Sequence, residues 1–299
     1  MSAVPPTVAP PRRRFNWTPW LMVSPALVFF ILFFVTPLLI LFANSFQRWD
    51  MGTYEVVEEF TTFQYSRYLF DEYYNEVLIR TLRIGALTTL YCVIAAYPVA
   101  IYLTRCGPTE RSILTLVIIS PLLVSVVVLC FGWMIVVAPT GLINWLLISL
   151  GIIEERLDMK FSEGSVIAGL AQTFFPFVAL AVYNSLSNID PLVVRAARIL
   201  GAGRWRIFWS ITMPLSVPGA VAGSLIVFAL TISSFVTPMF LGGAWVKVVA
   251  FHIWEQNMVV IDWPFGAAIS VILLVVTAAI MIGYNRLMER GLFAGVFHR

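Results

Sequence analysis

Charged side chains are scarce in this chain. Of its 299 residues only 12% are Asp, Glu, Lys or Arg, whereas 60% are hydrophobic and the mean hydropathy is +0.89. A soluble domain carries about 25% charged residues, and the most polar stretch, residues 44–83, is about the smallest size at which a domain folds unaided. The composition therefore excludes a soluble enzyme with a membrane tail and indicates one integral membrane domain with short loops.

Residues that commonly carry catalysis or bind metals are also few. The three cysteines have no metal-ligand spacing; of the two histidines, His252 lies in a predicted outer loop and His298 near the end of the chain. No Ser–His, metal or paired-carboxylate constellation falls in an apolar stretch, which argues against a membrane-embedded enzyme. The ATP-binding pattern G-x-x-x-x-G-K-S/T is absent, because residues 201–204 (GAGR) lack the Lys and the Ser or Thr. We therefore expect the chain to bind no cofactor, metal or nucleic acid and not to be an enzyme.

Long apolar stretches dominate instead. A helix needs about 20 apolar residues to cross the hydrocarbon core, and backbone polar groups in lipid must be satisfied internally. We therefore predict an all-α integral membrane protein with six transmembrane helices. Its parts are a Pro/Arg-rich N-terminus (1–19), a six-span domain (20–286) and a tail (287–299). The predicted spans, each free of Asp, Glu, Lys and Arg, are residues 20–42, 84–104, 112–136, 165–186, 217–241 and 265–284.

The connecting segments differ in charge between the two sides of the membrane. One side comprises both termini and the loops 105–111 and 187–216, and it holds 12 Lys/Arg and 3 Asp/Glu. The other side holds 5 Lys/Arg and 13 Asp/Glu in the segments 43–76, 137–164 and 242–264. The positive-inside rule places the first side, and with it both termini, in the cytoplasm.

Two features interrupt the apolar pattern. Pro139, Gly141 and Asn144 break the stretch 137–153, so we predict a short helix at 140–153 that lies on the outer surface, with Trp145 as an interface anchor, and not a seventh span. Prolines also fall inside the predicted spans, and the sequence leaves open whether they are tolerated kinks or hinges: Pro25, Pro37, Pro98, Pro121, Pro176 and Pro238.

The segment 188–215, NIDPLVVRAARILGAGRWRIFWSITMPL, has the signals of two short helices. Asp190 suits an N-cap, Pro191 the first helical position and Gly201 the stop, which predicts a helix over 191–200. A second piece, 204–212, is predicted to be an interfacial helix with aromatic and basic anchors. The whole loop is either an amphipathic segment held by anionic lipid or a docking element for a cytoplasmic partner. The first helix has one shallow apolar face, from which Arg195 and Arg198 point away: Val193, Ala196, Ala197 and Leu200.

The same loop carries a family resemblance. It resembles the Glu-Ala-Ala…Gly…Ile-x-Leu-Pro signature of permease subunits of binding-protein-dependent, ATP-driven importers. Arg195 stands where the family has Glu, and Met213 where it has Leu. Residues 234–243 (SFVTPMFLGG) and 262–268 (DWPFGAA) resemble the polyamine-type permeases, which import spermidine and putrescine. The matching positions of the signature are Ala196, Ala197, Gly201, Ile211 and Pro214.

The resemblance implies a type I ABC importer permease in the inner membrane of a bacterium. The short helix would dock into a cytoplasmic ATPase subunit, where ATP and Mg²⁺ are used, and the pathway would open alternately to either side. The implied partners are two ATPase subunits, a second and different permease, an extracytoplasmic solute-binding protein and membrane lipid. The implied coupling residues are Val193, Arg195, Ala196, Ala197, Leu200, Gly201 and Pro214.

The solute implied first is a polyamine such as spermidine or putrescine. An amino acid derivative, an opine-like compound or an iron chelate remains an alternative within the same architecture. A stand-alone carrier or channel is a further alternative, but the predicted spans hold none of the ionisable residues that such carriers keep at the membrane midplane. The candidate pathway residues, each of which would otherwise serve a helix–helix hydrogen bond, are Gln172, Thr173, Asn184, Ser233, Ser234 and Thr237.

The predicted outer mouth is rich in acidic and aromatic residues. Such a surface would raise the local concentration of a cation, although the acids are equally explained by the charge asymmetry of the loops. Arg80 and Arg83 oppose a cation pathway unless they reach the membrane surface, which we expect them to do. The candidate mouth residues are Glu58, Glu59, Asp71, Glu72, Trp254 and Trp263.

Overall fold

The computed structural model describes residues 18–50, 55–57 and 59–290, and this part of the chain is almost entirely helical. Two short strands, β1 (Arg48–Asp50) and β2 (Glu55–Val57), form an antiparallel hairpin. Most of the predicted N-terminal segment 1–19, the end of the tail, and Glu58 lie outside the described residues. The helices are α1 (Thr18–Phe30), α2 (Thr36–Asn44), α3 (Phe63–Leu69), α4 (Glu72–Arg105), α5 (Pro108–Leu123), α6 (Val126–Val136), α7 (Leu142–Ser149), α8 (Glu163–Ser187), α9 (Pro191–Ile199), α10 (Arg204–Ile207), α11 (Met213–Ser233), α12 (Val249–Glu255) and α13 (Trp263–Arg290).

The predicted all-α membrane architecture is confirmed. Five helical stretches are long and apolar enough to cross a membrane, and the bent pair α5–α6 makes a sixth if it counts as one span. The five are Leu21–Asn44, Glu72–Arg105, Glu163–Ser187, Arg204–Ser233 and Trp263–Met288.

Helices α4, α8 and α11 form the centre of the bundle. Small residues let their backbones approach closely, as is usual for helix pairs in lipid. A Cβ atom added at Gly223 of α11 would lie 2.8 Å from the Cα atom of Val178 in α8, and one added at Gly219 would touch the carbonyl oxygen of Ala181. The sequence Gly219-x-x-x-Gly223 thus sets the distance between α8 and α11.

The first span has almost no packing within its own chain. It runs from α1 through a π-helical turn (Ile31–Val35) into α2. None of the side chains at 21–44 is buried against the rest of the described chain. Its contacts with the bundle are made by α2 against α13. This span therefore presents its apolar surface to lipid or to a partner subunit.

The prediction that the third span, 112–136, is one continuous helix is wrong. α5 and α6 meet at Val124 and Ser125 with a bend of 100°. The break follows Pro121, whose nitrogen cannot donate a backbone hydrogen bond; the Ser120 hydroxyl donates to the Val117 carbonyl instead (2.8 Å). α6 ends next to α7, whereas α5 begins beside the loop between α8 and α9. The two ends of the bent pair therefore lie at opposite ends of the bundle, and α5 and α6 together make one crossing of the membrane.

The fifth predicted span, 217–241, is displaced along the chain. A continuous helix runs from Arg204 through the π-helical turn Phe208–Thr212 into α11 and ends at Ser233. The prediction of a separate interfacial helix at 204–212 is therefore wrong, because these residues are the first turns of the spanning helix. After Ser233 the chain is extended at Ser234 (φ −75°, ψ 126°) and forms a further π-helical turn at Pro238–Gly242.

The short helix predicted within residues 140–153 is confirmed as α7, which covers eight of these residues; its place on the outer surface stays a prediction. Asn144 is buried and fixes the loop that follows, since its side chain accepts from the Leu157 backbone N–H (2.8 Å) and donates to the Leu157 carbonyl (2.9 Å). Trp145 is 63% exposed, as an interface anchor requires.

Basic and acidic segments gather at opposite ends of the bundle. The last residues of α4 and α8, the start of α5, and α9 line one cavity, and we call this the basic end. The other end, which we call the acidic end, contains every ion pair that Lys or Arg makes among the described residues. These pairs are Arg67–Asp262, Arg80–Glu76, Arg80–Glu163, Arg83–Glu163 and Lys247–Glu255.

Candidate functional site

Helix α9 has the caps that its sequence predicts. The Asp190 carboxylate accepts from the backbone N–H of Leu192 (2.8 Å), and Pro191 occupies the first helical position. The helix ends at Ile199, one residue before the predicted end, and Gly201 follows with φ +83°. The backbone N–H of Ala202 then donates to a carbonyl of the last turn (3.0 Å). A left-handed residue at this point is a common helix stop and favours glycine.

The free face of α9 is apolar and covers more residues than the sequence pattern indicates. Of the predicted face, Val193, Ala196 and Leu200 are exposed, but Ala197 is half-buried against the protein itself. Arg195 and Arg198 lie outside this face, and both line the cavity at the basic end. The exposed apolar residues of this helix and its C-cap, which we call the α9 face, are Leu192, Val193, Ala196, Ile199 and Leu200.

The remaining coupling residues join α9 to the spans. Gly201 and the short connection after it lead into α10, and Pro214 is the second residue of α11. Two residues later the buried Ser216 hydroxyl donates to the hydroxyl of Tyr97 in α4 (3.2 Å). The chain therefore connects α9, through α10 and the π-helical turn that follows it, to a spanning helix.

The end of α11 lies against aromatic side chains. Phe235 stacks on Trp254 with ring centroids 6.2 Å apart, and Trp254 contacts Phe251 at 5.6 Å. Trp133 of α6, Phe235 and Phe251 pack against one group of buried apolar residues, which includes Leu170 and Leu241. The C-terminal end of a helix carries a partial negative charge, and ring faces attract cations. The interruption after Ser233 thus offers a cation helix dipoles and aromatic faces.

The six candidate pathway residues do not share one surface. Gln172 is exposed and accepts a hydrogen bond from the indole of Trp133. The hydroxyls of Thr173 and Ser233 donate to backbone carbonyls of their own helices. Thr237 is 1% exposed and lies between Cys130 and Gly169, so it packs α6 against α8. Asn184 and Ser233 are exposed, and Ser234 is half-buried.

The predicted acidic mouth is not one charged surface. Asp71 caps α4, where its carboxylate accepts from the Tyr73 backbone N–H (2.9 Å). Glu59 and Glu72 are exposed. Four other acids at this end, Glu76, Glu163, Glu255 and Asp262, are held in the ion pairs described above, which weakens the field that they exert on a solute.

The two tryptophans assigned to the mouth have different surroundings. Trp254 is half-buried in the aromatic group at the end of α11. Trp263 is 54% exposed at the start of α13, and its indole donates to the Asn257 carbonyl (3.3 Å). Only Trp254 joins the candidate pathway.

The exposed, capped helix α9 lies directly before the helix that forms the fifth span. A membrane bundle with this arrangement is characteristic of a known family. The family model described as "Binding-protein-dependent transport system inner membrane component" matches residues 87–293, a range that includes α9 and the spans on either side of it. The chain belongs to this family. It is a transmembrane subunit, or permease, of an ABC importer and a multi-pass inner-membrane protein.

Relatives and solved structures agree with this assignment. The permease is 32% identical over 256 residues to the spermidine/putrescine transport system permease PotB of Salmonella typhimurium (strain SL1344), which covers 86% of this chain and 88% of that protein. It is 30% identical over 271 residues to PotB of Haemophilus influenzae, which covers 88% and 92%. A bacterial ABC transporter involved in the import of the acidic polysaccharide alginate has the same fold, with a TM-score of 0.75 at 17% identity over 92% of this chain and 96% of that one.

In the permease, Asp262 is the first residue of the segment DWPFGAA and fixes its structure through two contacts. Its carboxylate accepts from the backbone N–H of Phe265 (3.1 Å), which caps α13, and from the guanidinium of Arg67 in α3 (3.1 Å). The same guanidinium lies 4.0 Å from the centre of the Phe265 ring. Asp262 is 1% exposed. The segment is therefore a joint between α3 and α13 at the acidic end.

Arg80 and Arg83, which we predict to reach the outer membrane surface, form ion pairs at the acidic end. Arg80 contacts Glu76 (2.5 Å) one turn away and Glu163 (3.5 Å) at the start of α8, and Arg83 pairs with Glu163 too. Arg80 also donates to the Trp245 carbonyl (3.2 Å). These contacts join α4 to α8, and no local sequence pattern could pair Arg83 with an acid 80 residues away.

His252, which the sequence places only in an outer loop, is a buried part of the acidic end. It is 3% exposed, its Nδ1 lies 2.9 Å from a carboxylate oxygen of Glu255, and its Nε2 lies 3.0 Å from the hydroxyl of Tyr73. Lys247 contacts the other carboxylate oxygen of Glu255 (3.6 Å). Burial lowers the pKa of His252 below 6.5; Glu255 raises the pKa and Lys247 lowers it further.

Acidification is therefore expected to destabilise the acidic end. With its pKa lowered in the folded state, His252 binds a proton more readily when unfolded, so stability is complete above the unfolded pKa of about 6.5 and falls as the pH drops toward the folded value. Melting temperatures of the purified permease between about pH 8 and pH 5.5 measure this, in a range above the usual carboxylate pKa values. His252→Gln should flatten the decline; equal declines in both proteins would contradict the assignment.

Proposed function

We propose that this permease is the transmembrane subunit of an importer for a polyamine such as spermidine or putrescine. The observation that carries the proposal is its 30–32% identity, over 86–88% of the chain, to permeases named for spermidine and putrescine transport. The chain itself would bind no nucleotide, and ATP and Mg²⁺ would be used by a separate ATPase subunit.

The region around the end of α11 suits the passage of a polycation. An extended amine would meet the stacked rings of Phe235 and Trp254 and the carbonyl end of the helix at Ser233. A buried carboxylate would hold such a solute tightly, whereas dipoles and ring faces attract it weakly enough to let it leave. Transport requires the weaker kind of binding, because each solute must be released on the other side.

The α9 face would dock into a groove of the ATPase subunit. The five apolar side chains of this face are exposed, and contact with water is energetically unfavourable for them unless a partner covers them. Closure of two ATPase subunits on ATP would then move α9, and through Gly201 and Pro214 the spanning helix α11. We propose a second, different permease for the other half of the pathway and an extracytoplasmic binding protein that delivers the solute.

Purification with the co-encoded partner proteins tests the solute. The associated binding protein is expected to melt at a higher temperature with spermidine or putrescine, since a ligand stabilises the folded state that binds it. The loaded binding protein should then stimulate ATP hydrolysis by the reconstituted importer. An amino acid derivative, an opine-like compound and an iron chelate serve as comparison ligands. Stabilisation and stimulation by one of these, with none from polyamines, would replace the polyamine assignment.

A further inference from the structure

A strongly basic cavity of about 1050 Å³ lies behind α9, on the side away from the α9 face. None of its described lining residues is Asp or Glu. One guanidinium is fixed in place: that of Arg111 donates to the carbonyls of Leu103 (3.1 Å) and Cys106 (3.3 Å). The arginines that line the cavity are Arg105, Arg111, Arg195, Arg198 and Arg204.

The cavity lies where the spanning helices leave the membrane. Arg105 is the last residue of α4, Ser187 is the last residue of α8, and both line it. Part of its wall is apolar, with Ile101, Leu186 and Phe208. On the adjoining helical turns the indoles of Trp205 and Trp209 are 76% and 61% exposed, which is the usual arrangement at a lipid headgroup layer.

We propose that this cavity binds the phosphate headgroup of an anionic phospholipid, such as phosphatidylglycerol or cardiolipin, from the leaflet at the basic end. Several guanidinium groups with no acidic partner in the cavity strongly favour a ligand with more than one negative charge or several phosphate oxygens. Basic pockets between spanning helices on the cytoplasmic side are suited to such headgroups, and the apolar wall can accept the glycerol and the upper acyl chain.

The bound headgroup would connect α9 to the spans. Arg195 and Arg198 belong to α9 and Arg105 and Arg111 to α4 and α5, so one phosphate group contacting both sets would hold the rear of α9 while leaving the α9 face free. This also accounts for Arg195, which replaces the glutamate of the family signature. The residue faces the basic cavity and increases its positive charge. The proposal concerns lipid and does not depend on which solute is transported.

The test measures cardiolipin binding to the importer purified with its partner subunits in neutral detergent, by native mass spectrometry. Arg105→Gln combined with Arg198→Gln removes one charge from each side of the cavity. We expect affinity to fall about fivefold per arginine and roughly thirtyfold for the pair. Arg206→Gln combined with Arg286→Gln removes the same charge from the basic end outside the cavity and should change affinity little. If the first pair prevents assembly, Arg195→Glu, which restores the family residue, should also weaken cardiolipin binding.

Three results would overturn the proposal. Equal loss of cardiolipin in both double variants would mean general surface attraction. Binding of inorganic phosphate or ATP with the same arginine dependence, without cardiolipin binding, would identify a soluble anion as the ligand. Cross-linking of an Arg105→Cys variant to the ATPase subunit, whether or not cardiolipin is present, would mean that protein fills the cavity.

Discussion

Substitution of Ala196 by tryptophan is expected to stop uptake while leaving the permease folded in the membrane. Ala196 is exposed at the centre of the α9 face, between Val193 and Leu200, and its small side chain lets a partner backbone approach closely. A bulky ring there would hold the ATPase subunit away. Loss of a central interface contact costs about 2 kcal/mol or more, or roughly thirtyfold in affinity. Co-purification of the ATPase subunit and uptake of labelled solute measure the effect.

Two further variants separate docking from loss of structure. Ala196→Ser keeps a small side chain and should retain uptake. Gly201 has φ +83°, and a Cβ atom added there would have no neighbour within 4 Å. Gly201→Val should therefore cause no steric clash, but it should impair coupling through backbone strain of about 1–2 kcal/mol. Gly201→Asn, which tolerates this conformation, should be much milder. If Ala196→Trp leaves ATPase binding and uptake intact, α9 is not the coupling element.

Replacing Gly223 with leucine should prevent a stable bundle from forming. Its Cβ atom would meet the α8 backbone at Val178, and a backbone cannot move aside as a flexible side chain can. The helices α8 and α11 would have to separate along the centre of the bundle. Overpacking typically costs about 1–3 kcal/mol, and a leucine in a backbone contact is expected to exceed that range. Thermal melting and size-exclusion profiles in detergent provide the measurement.

Gly283 of α13 supplies the matched control. It also lies in a spanning helix, but a Cβ atom added there would have no neighbour within 4 Å. Gly283→Leu should therefore melt no lower than the unmodified permease, since leucine is a better helix former than glycine by about 0.8 kcal/mol. Equal melting of the Gly223 and Gly283 variants would show that α8 and α11 are not in close contact.

The sequence predicts best where a local signal decides the structure. Asp190, Pro191 and Gly201 act within a few residues of the chain, and α9 follows them to within one residue. The positions of the spans likewise depend on the length of apolar runs. The 100° bend at Val124 was not predictable in this way, because the run continues apolar on both sides of it. Neither was the end of α11 at Ser233, where the chain stays apolar beyond the helix.

The candidate site was predicted less completely, because tertiary partners decide its chemistry. Thr237 is a polar residue in a span, yet contacts with Cys130 and Gly169 bury it. Arg67 and Asp262 are separated by 195 residues, so no local pattern could pair them. The orientation of Arg195 depended on which side of α9 packs against the protein, and periodicity predicted that orientation correctly.

The distribution of ion pairs makes the two ends of the bundle mechanically unequal. At the acidic end Arg67–Asp262 fastens α3 to α13, and Glu163 fastens α8 to α4. At the basic end α4 and α8 line a wide cavity, and among the described residues no ion pair joins them there. A movement of α9 would therefore act on the end of the bundle that lacks ion pairs, while the pairs at the acidic end hold α3 to α13 and α4 to α8. We expect the cytoplasmic opening to widen by tilting, with the outer fastenings intact through the early part of the stroke.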